Sequence, residues 1–133
     1  MARRKILIVD DQKEFAWLVK MNLEELGGYE VQVESTPANV LGTAKKFSPD
    51  FIFLDVIMPD LEGPDVYSQL KNCVEFKDTP IVFLTATVTK EEVEARDGRI
   101  GGHQFFAKPG SLEELIQCIE TNFRRPPYIA DFI

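Results

Sequence analysis

The chain has 133 residues, 44% hydrophobic and 28% charged, with a formal net charge of −7. That length suits one domain with a single well-formed core, and the balance is that of a folded soluble protein rather than a disordered or fibrous one. The negative charge removes the attraction for phosphate backbones on which non-specific nucleic-acid binding rests, so no direct nucleic-acid binding is expected. No apolar run approaches the roughly 20 residues that span a bilayer, and the opening MARRKILIVDD turns acidic too early for a signal peptide; a cytoplasmic protein without membrane contact is predicted.

In chain order, KILIVD (5 to 10) reads as a first strand. A helix follows, with Phe15, Leu18, Val19, Asn22, Leu23 and Leu26 at helical spacing. Trp17 and Met21 lie off that stripe, as a candidate partner patch or as side chains packed on the last helix. YEVQVES (29 to 35) alternates and predicts a strand near an edge, with a helix after it carried by Val40, Leu41, Ala44 and Phe47. FIFLD (51 to 55) is a continuous apolar run that ends in a carboxylate, followed by MPD and a helix around Val66, Tyr67 and Leu70. PIVFLT (80 to 85) predicts a fourth strand covered on both faces. KEEVEARDGRIGG is the weakest element, a short helix eroded by Gly98, Gly101 and Gly102. HQFFAK (103 to 108) is the fifth strand, and Leu112, Leu115, Ile116, Ile119 and Phe123 mark a last helix opened by a capping box of Ser111 and Glu114.

Alternating strands and helices with short links predict right-handed crossovers, hence an α/β fold with a parallel sheet covered by helices on both faces. In such sheets ligands bind beyond the carboxyl ends of the strands. Five polar residues stand there: Asp10 and Asp11, Asp55, Thr85 and Lys108. Any one acidic residue at a strand end is more often a solvated loop residue or a cap, and Asp11 could simply cap the first helix. Together they are more specific. Three converging carboxylates repel, and an oxygen-only cluster suits a hard divalent cation such as Mg²⁺. Lys108 would add a fixed positive charge, paired with Asp55 at rest. Cys73 and Cys118 are far apart and match no metal spacing, so both read as reduced thiols; His103 stands alone, which argues for packing rather than zinc.

With ILIVDD, FLDVIMPDLEG, FLTAT and FFAKP in this order, the chain resembles the receiver domains of bacterial two-component response regulators over essentially its whole length. The resemblance implies a flavodoxin-like, doubly wound (βα)5 sandwich, with a five-stranded parallel sheet in the order 2-1-3-4-5. Residues 1–125 would be the receiver domain and 126–133 a C-terminal tail. It implies that Asp55 accepts a phosphoryl group, and that Mg²⁺ is held by Asp10, Asp11, Asp55 and the backbone carbonyl of Ile57. Thr85 would bond the phosphoryl oxygens. Lys108, before a Pro109 whose peptide bond is typically cis in the family, would neutralise them, and Phe105 would be the switch aromatic beside Thr85. The protein would catalyse its own phosphorylation and slow dephosphorylation rather than turn over an external substrate. Its implied partners are a sensor histidine kinase or phosphotransfer protein and an output protein on the face of the fourth helix, fifth strand and fifth helix.

Ile57 and Thr87 stand where the family influences attack of water on the acyl phosphate, and neither carries a charged or amide group, so slow self-dephosphorylation is expected. KPG replaces the frequent KPF, and Gly27 and Gly28 separate the first helix from the second strand. The tail RRPPYIADFI holds two prolines; packing on the body, a homodimer contact and a linker remain open for it. A flavodoxin-like electron carrier is disfavoured because DDQKE would repel a cofactor phosphate. A haloacid-dehalogenase-like phosphatase would want an aspartate at position 57. A pseudo-receiver docking module would not need the complete set of phosphorylation residues.

Overall fold

The computed structural model describes residues 3–55, 63–85, 92, 99–100, 103–108 and 111–124. Its elements run β1 (Lys5–Val9), α1 (Lys13–Leu26), β2 (Glu30–Glu34), α2 (Val40–Phe47), β3 (Phe51–Asp55), α3 (Gly63–Lys71), β4 (Ile81–Thr85), β5 (Arg99–Ile100), β6 (His103–Ala107) and a C-terminal helix (Leu112–Arg124). The sheet order is β2-β1-β3-β4-β6-β5, so the five parallel strands stand in the order expected from sequence. β5 is an addition: it pairs antiparallel with β6, Ile100 opposite His103, where a helix ending was expected. The overlooked signal is the Gly-Gly pair between those two partners, the composition of a two-residue hairpin connection.

Strand pleating sorts the apolar side chains into two cores. Ile6, Ile8, Phe51, Phe53, Val82 and Leu84 face α1 and the C-terminal helix. Leu7, Val9, Ile52, Leu54, Ile81 and Phe83 face α2 and α3. Because β1, β3 and β4 are covered on both sides, they need the nearly unbroken apolar runs that the sequence shows. β2 lies at the edge, as its alternation predicts.

α1 buries Ala16, Val19 and Leu23. Leu18, expected in that stripe, is instead 59% exposed, and Leu26 is 71% exposed. At 100° per residue Leu18 stands roughly 130° round the helix from the buried centre, and Leu26 occupies its last position. The capping box forms as expected: Glu114 N donates to Ser111 Oγ at 3.1 Å, and Ser111 N donates to a Glu114 carboxylate oxygen at 3.2 Å. His103, at the head of β6, meets Tyr67 and Phe83 edge to face at 4.8 and 5.5 Å between ring centres. Among the described residues no helix is long and apolar enough to cross a membrane.

Gly27 ends α1 with its N–H bonded to Leu23 O at 3.0 Å, and the ring of buried Tyr29 folds against it. A Cβ there would stand 2.6 Å from that ring and 2.9 Å from the Leu23 carbonyl. Gly27→Ala is therefore expected to lower unfolding free energy by about 1–3 kcal/mol, read from urea denaturation.

Candidate functional site

The sheet delivers its polar residues to one edge. β1 ends at Val9, and Asp10 follows while still tied to β2, its N–H bonded to Glu34 O at 3.1 Å. Asp55 is the last residue of β3 and Thr85 the last of β4. Lys108 follows β6, its N–H bonded to Thr85 O at 2.7 Å, which extends the ladder by one step. One carboxylate oxygen from each of Asp10, Asp11 and Asp55 lies within 4.8 Å of the others. Asp10 is 0% exposed and Asp55 7%, while Asp11 is partly exposed and opens the cluster to solvent.

Lys108 Nζ stands 2.6 Å from Asp10 Oδ2 and 3.6 Å from Asp55 Oδ1. The nearer partner is thus Asp10, not the Asp55 expected from sequence. Asp10 is the more deeply buried of the two, so its charge has less water to stabilise it and more need of a cation. Gln12 was not anticipated. Its side-chain carbonyl accepts from Lys108 Nζ at 2.9 Å, and its N–H donates to Asp10 Oδ1 at 2.9 Å. Phe15 lies under the same ammonium, 4.8 Å from ring centre to Nζ. The faint signal was position: the residue after an acidic pair, at the mouth of a helix. Gln12, not Asp11, occupies the cap of α1, so Asp11 is not spent on capping.

Thr85 and Phe105 lie on the other face. Phe83 and Phe105 pair across β4 and β6 with ring centres 5.2 Å apart, and both pack in the core facing α2 and α3. Strand alternation puts Thr85 on the Phe83 side. Ile57, Pro109 and Thr87 fall outside the described residues, as do residues 125–133.

Residues 6–120 match the response regulator receiver domain family. The chain belongs to that family. It is 35% identical over 121 residues to the nisin biosynthesis regulatory protein NisR of Lactococcus lactis, covering 91% of this chain and 51% of that protein. It is 32% identical to the probable transcriptional regulatory protein TcrX of Mycobacterium tuberculosis, covering 90% of this chain and 50% of that one. The chain spans about half the length of these curated relatives. Among solved structures it superimposes on the chemotaxis response regulator CheY4 of Vibrio cholerae with a TM-score of 0.76 at 28% identity, covering 91% of this chain and 99% of that one. A two-component response regulator from Clostridium difficile gives 0.75 at 27% identity, over 92% and 98% of the two chains.

In this receiver domain the donor set fits a hard divalent cation. It consists of oxygen atoms alone, and among the described residues buried Asp10 Oδ2 has the Lys108 ion pair but no hydrogen-bond donor assigned to it. The Asp55 carboxyl is pushed up from 3.8 to about 6. Burial is the main cause and the Asp10 charge the next; Lys108 pulls the other way, and the hydrogen bond and charge of Asp11 add to the rise. A raised carboxyl pKa favours folding while the group is protonated, fully below its ordinary value, and that contribution is lost as pH rises through about 6. In metal-free protein, Asp55→Asn should therefore change the melting temperature little near pH 4 and raise it progressively toward pH 7 relative to the native chain. Millimolar Mg²⁺ should narrow the gap at pH 7, and scanning calorimetry across the pH series reads all three.

Proposed function

We propose that this receiver domain, assigned to residues 1–125, takes a phosphoryl group onto Asp55 and signals by the change that follows. One observation carries the reading: three carboxylates and a lysine from three separate strand ends meet at one point. Membership in the response regulator receiver domain family supports it. An Asp55 carboxylate oxygen attacks phosphorus in line. The bond from phosphorus to a donor histidine nitrogen breaks, and its electron pair leaves with the imidazole. Asp10, Asp11, Asp55 and the Ile57 carbonyl are the proposed Mg²⁺ ligands, and the bound ion would supply positive charge against the phosphoryl oxygens. Lys108 neutralises a further oxygen, and the Thr85 hydroxyl donates to another. The domain thus acts on itself rather than turning over an external substrate.

The added charge draws Thr85 toward the site and lets Phe105 repack behind it, altering the surface that β6 and the C-terminal helix share with the helix expected before β5, for an output partner. That Phe105 already shares a face with Phe83 supports the coupling. For the donor, α1 offers a surface. Trp17 and Leu18 are each 59% exposed and Met21 is 40% exposed, on the helix that starts beside the acidic cluster. Such an aromatic and thioether patch suits a helical histidine kinase or phosphotransfer protein.

With Mg²⁺ and acetyl phosphate the protein should gain one acid-stable, base-labile phosphoryl adduct by intact mass. Asp55→Asn should abolish it, and removal of Mg²⁺ should suppress it. The adduct should outlast seconds, since Ile57 and Thr87 offer no group to position water. Trp17→Ala should slow transfer from a cognate kinase about tenfold, a cost of about 1.4 kcal/mol, while leaving the acetyl phosphate reaction unchanged. Equal slowing with both donors would remove α1 from the docking surface.

A further inference from the structure

At the opposite end of the sheet from the carboxylates lies a groove of about 510 Å³, between the loop leading into β3, the loop leading into β4 and the end of the C-terminal helix. Its apolar lining includes Val74, Pro80 and Phe123, and its carboxylates are Asp50, Glu75 and Asp78. Val74 is 86% exposed, more than any other large apolar side chain among the described residues. Phe123 is held in place by Arg4, whose guanidinium carbon lies 3.9 Å from the ring centre, and its neighbour Asn122 is locked to Gln104 of β6 by two hydrogen bonds of 2.8 and 3.0 Å. The groove wall is therefore built on the rigid sheet, and the chain leaves its last helix at that wall.

We propose that this groove receives the residues that follow the helix, Arg125 to Ile129, from the same chain. The sequence there is Arg-Pro-Pro-Tyr-Ile: a cation first, for Asp50, Glu75 or Asp78, then an apolar run for Val74, Pro80 and Phe123. Two prolines limit the backbone to extended conformations and lower the entropy lost on seating. Five extended residues reach roughly 17 Å, enough to cross a groove that opens beside Phe123. Attachment supplies an effective concentration on the order of millimolar, so an intrinsic affinity of about 4 kcal/mol already half-fills the groove. A separate peptide of the same sequence would need far higher concentration to compete.

Nitrogen-15 relaxation and amide shifts of the full chain test this. Backbone order parameters for Arg125, Tyr128 and Ile129, which carry an amide N–H, are expected near those of the helices, about 0.8, and to drop below about 0.6 in Glu75→Lys/Asp78→Lys, which reverses the groove charge at exposed positions. Tyr128→Ala/Ile129→Ala should shift amides of Ser48, Asp50 and residues 74–79 and leave those of Asp10, Asp55 and Lys108 in place. Order parameters below about 0.6 for Arg125, Tyr128 and Ile129 in the native chain would overturn the proposal. So would groove shifts that grow with protein concentration, because they would seat a second copy instead. These readouts need no phosphorylation, so they stand or fall apart from the reading of Asp55.

Discussion

The Lys108 ammonium is what allows three carboxylates to share one end of a sheet whose strands are otherwise apolar. Two like charges 4 Å apart repel by about 4 kcal/mol at an effective dielectric near 20, and Asp10 is sealed from the water that would soften this. A lysine fixed by the Gln12 carbonyl, the Phe15 ring and the backbone bond to Thr85 offsets one of the negative charges. It cannot offset all three. Burial first, and the unbalanced charge of Asp10 after it, raise the affinity of Asp55 for a proton, and the excess of negative charge makes the cluster attractive to a divalent cation.

The sheet pleat divides the labour of the site. Alternation puts Asp10, Asp55 and Lys108 in line with Ile8, Phe53 and Phe106 on the side of α1, whereas Thr85 and Phe105 belong with Phe83 on the side of α2 and α3. Asp55 and Phe105 thus stand on opposite faces, and the backbone bond from Lys108 N to Thr85 O links the ends of β4 and β6. On the side of α2 and α3, Tyr67, Phe83, His103 and Phe105 form a chain of ring contacts with centres 4.8 to 5.5 Å apart. Close-packed rings change by discrete rotamer steps rather than by gradual deformation, which suits a two-position switch.

β3 joins the two poles of the molecule. Its first residue follows Asp50 at the groove, its last is Asp55, and five residues separate the ends by roughly 17 Å. Every β3 side chain is buried, so the strand is a rigid spacer rather than a hinge. The C-terminal helix ends at the pole away from the carboxylates, whereas α1 begins at the other.

Much was legible in the sequence because it depends on local pattern. The apolar runs of β1, β3 and β4, the alternation of β2, the capping box at Ser111 and the polar residues closing four strands follow from periodicity and order, and they led to the fold, the family and the gathering of Asp10, Asp11, Asp55 and Lys108. Tertiary structure alone decided which carboxylate holds Lys108, since that turns on the relative burial of Asp10 and Asp55. It also drew in Gln12, turned Leu18 outward, made Arg99–Ile100 a strand and put Phe105 across the sheet from Asp55. These outcomes depend on distances between segments remote in sequence and on how much water reaches each group, and no single window of residues contains either quantity.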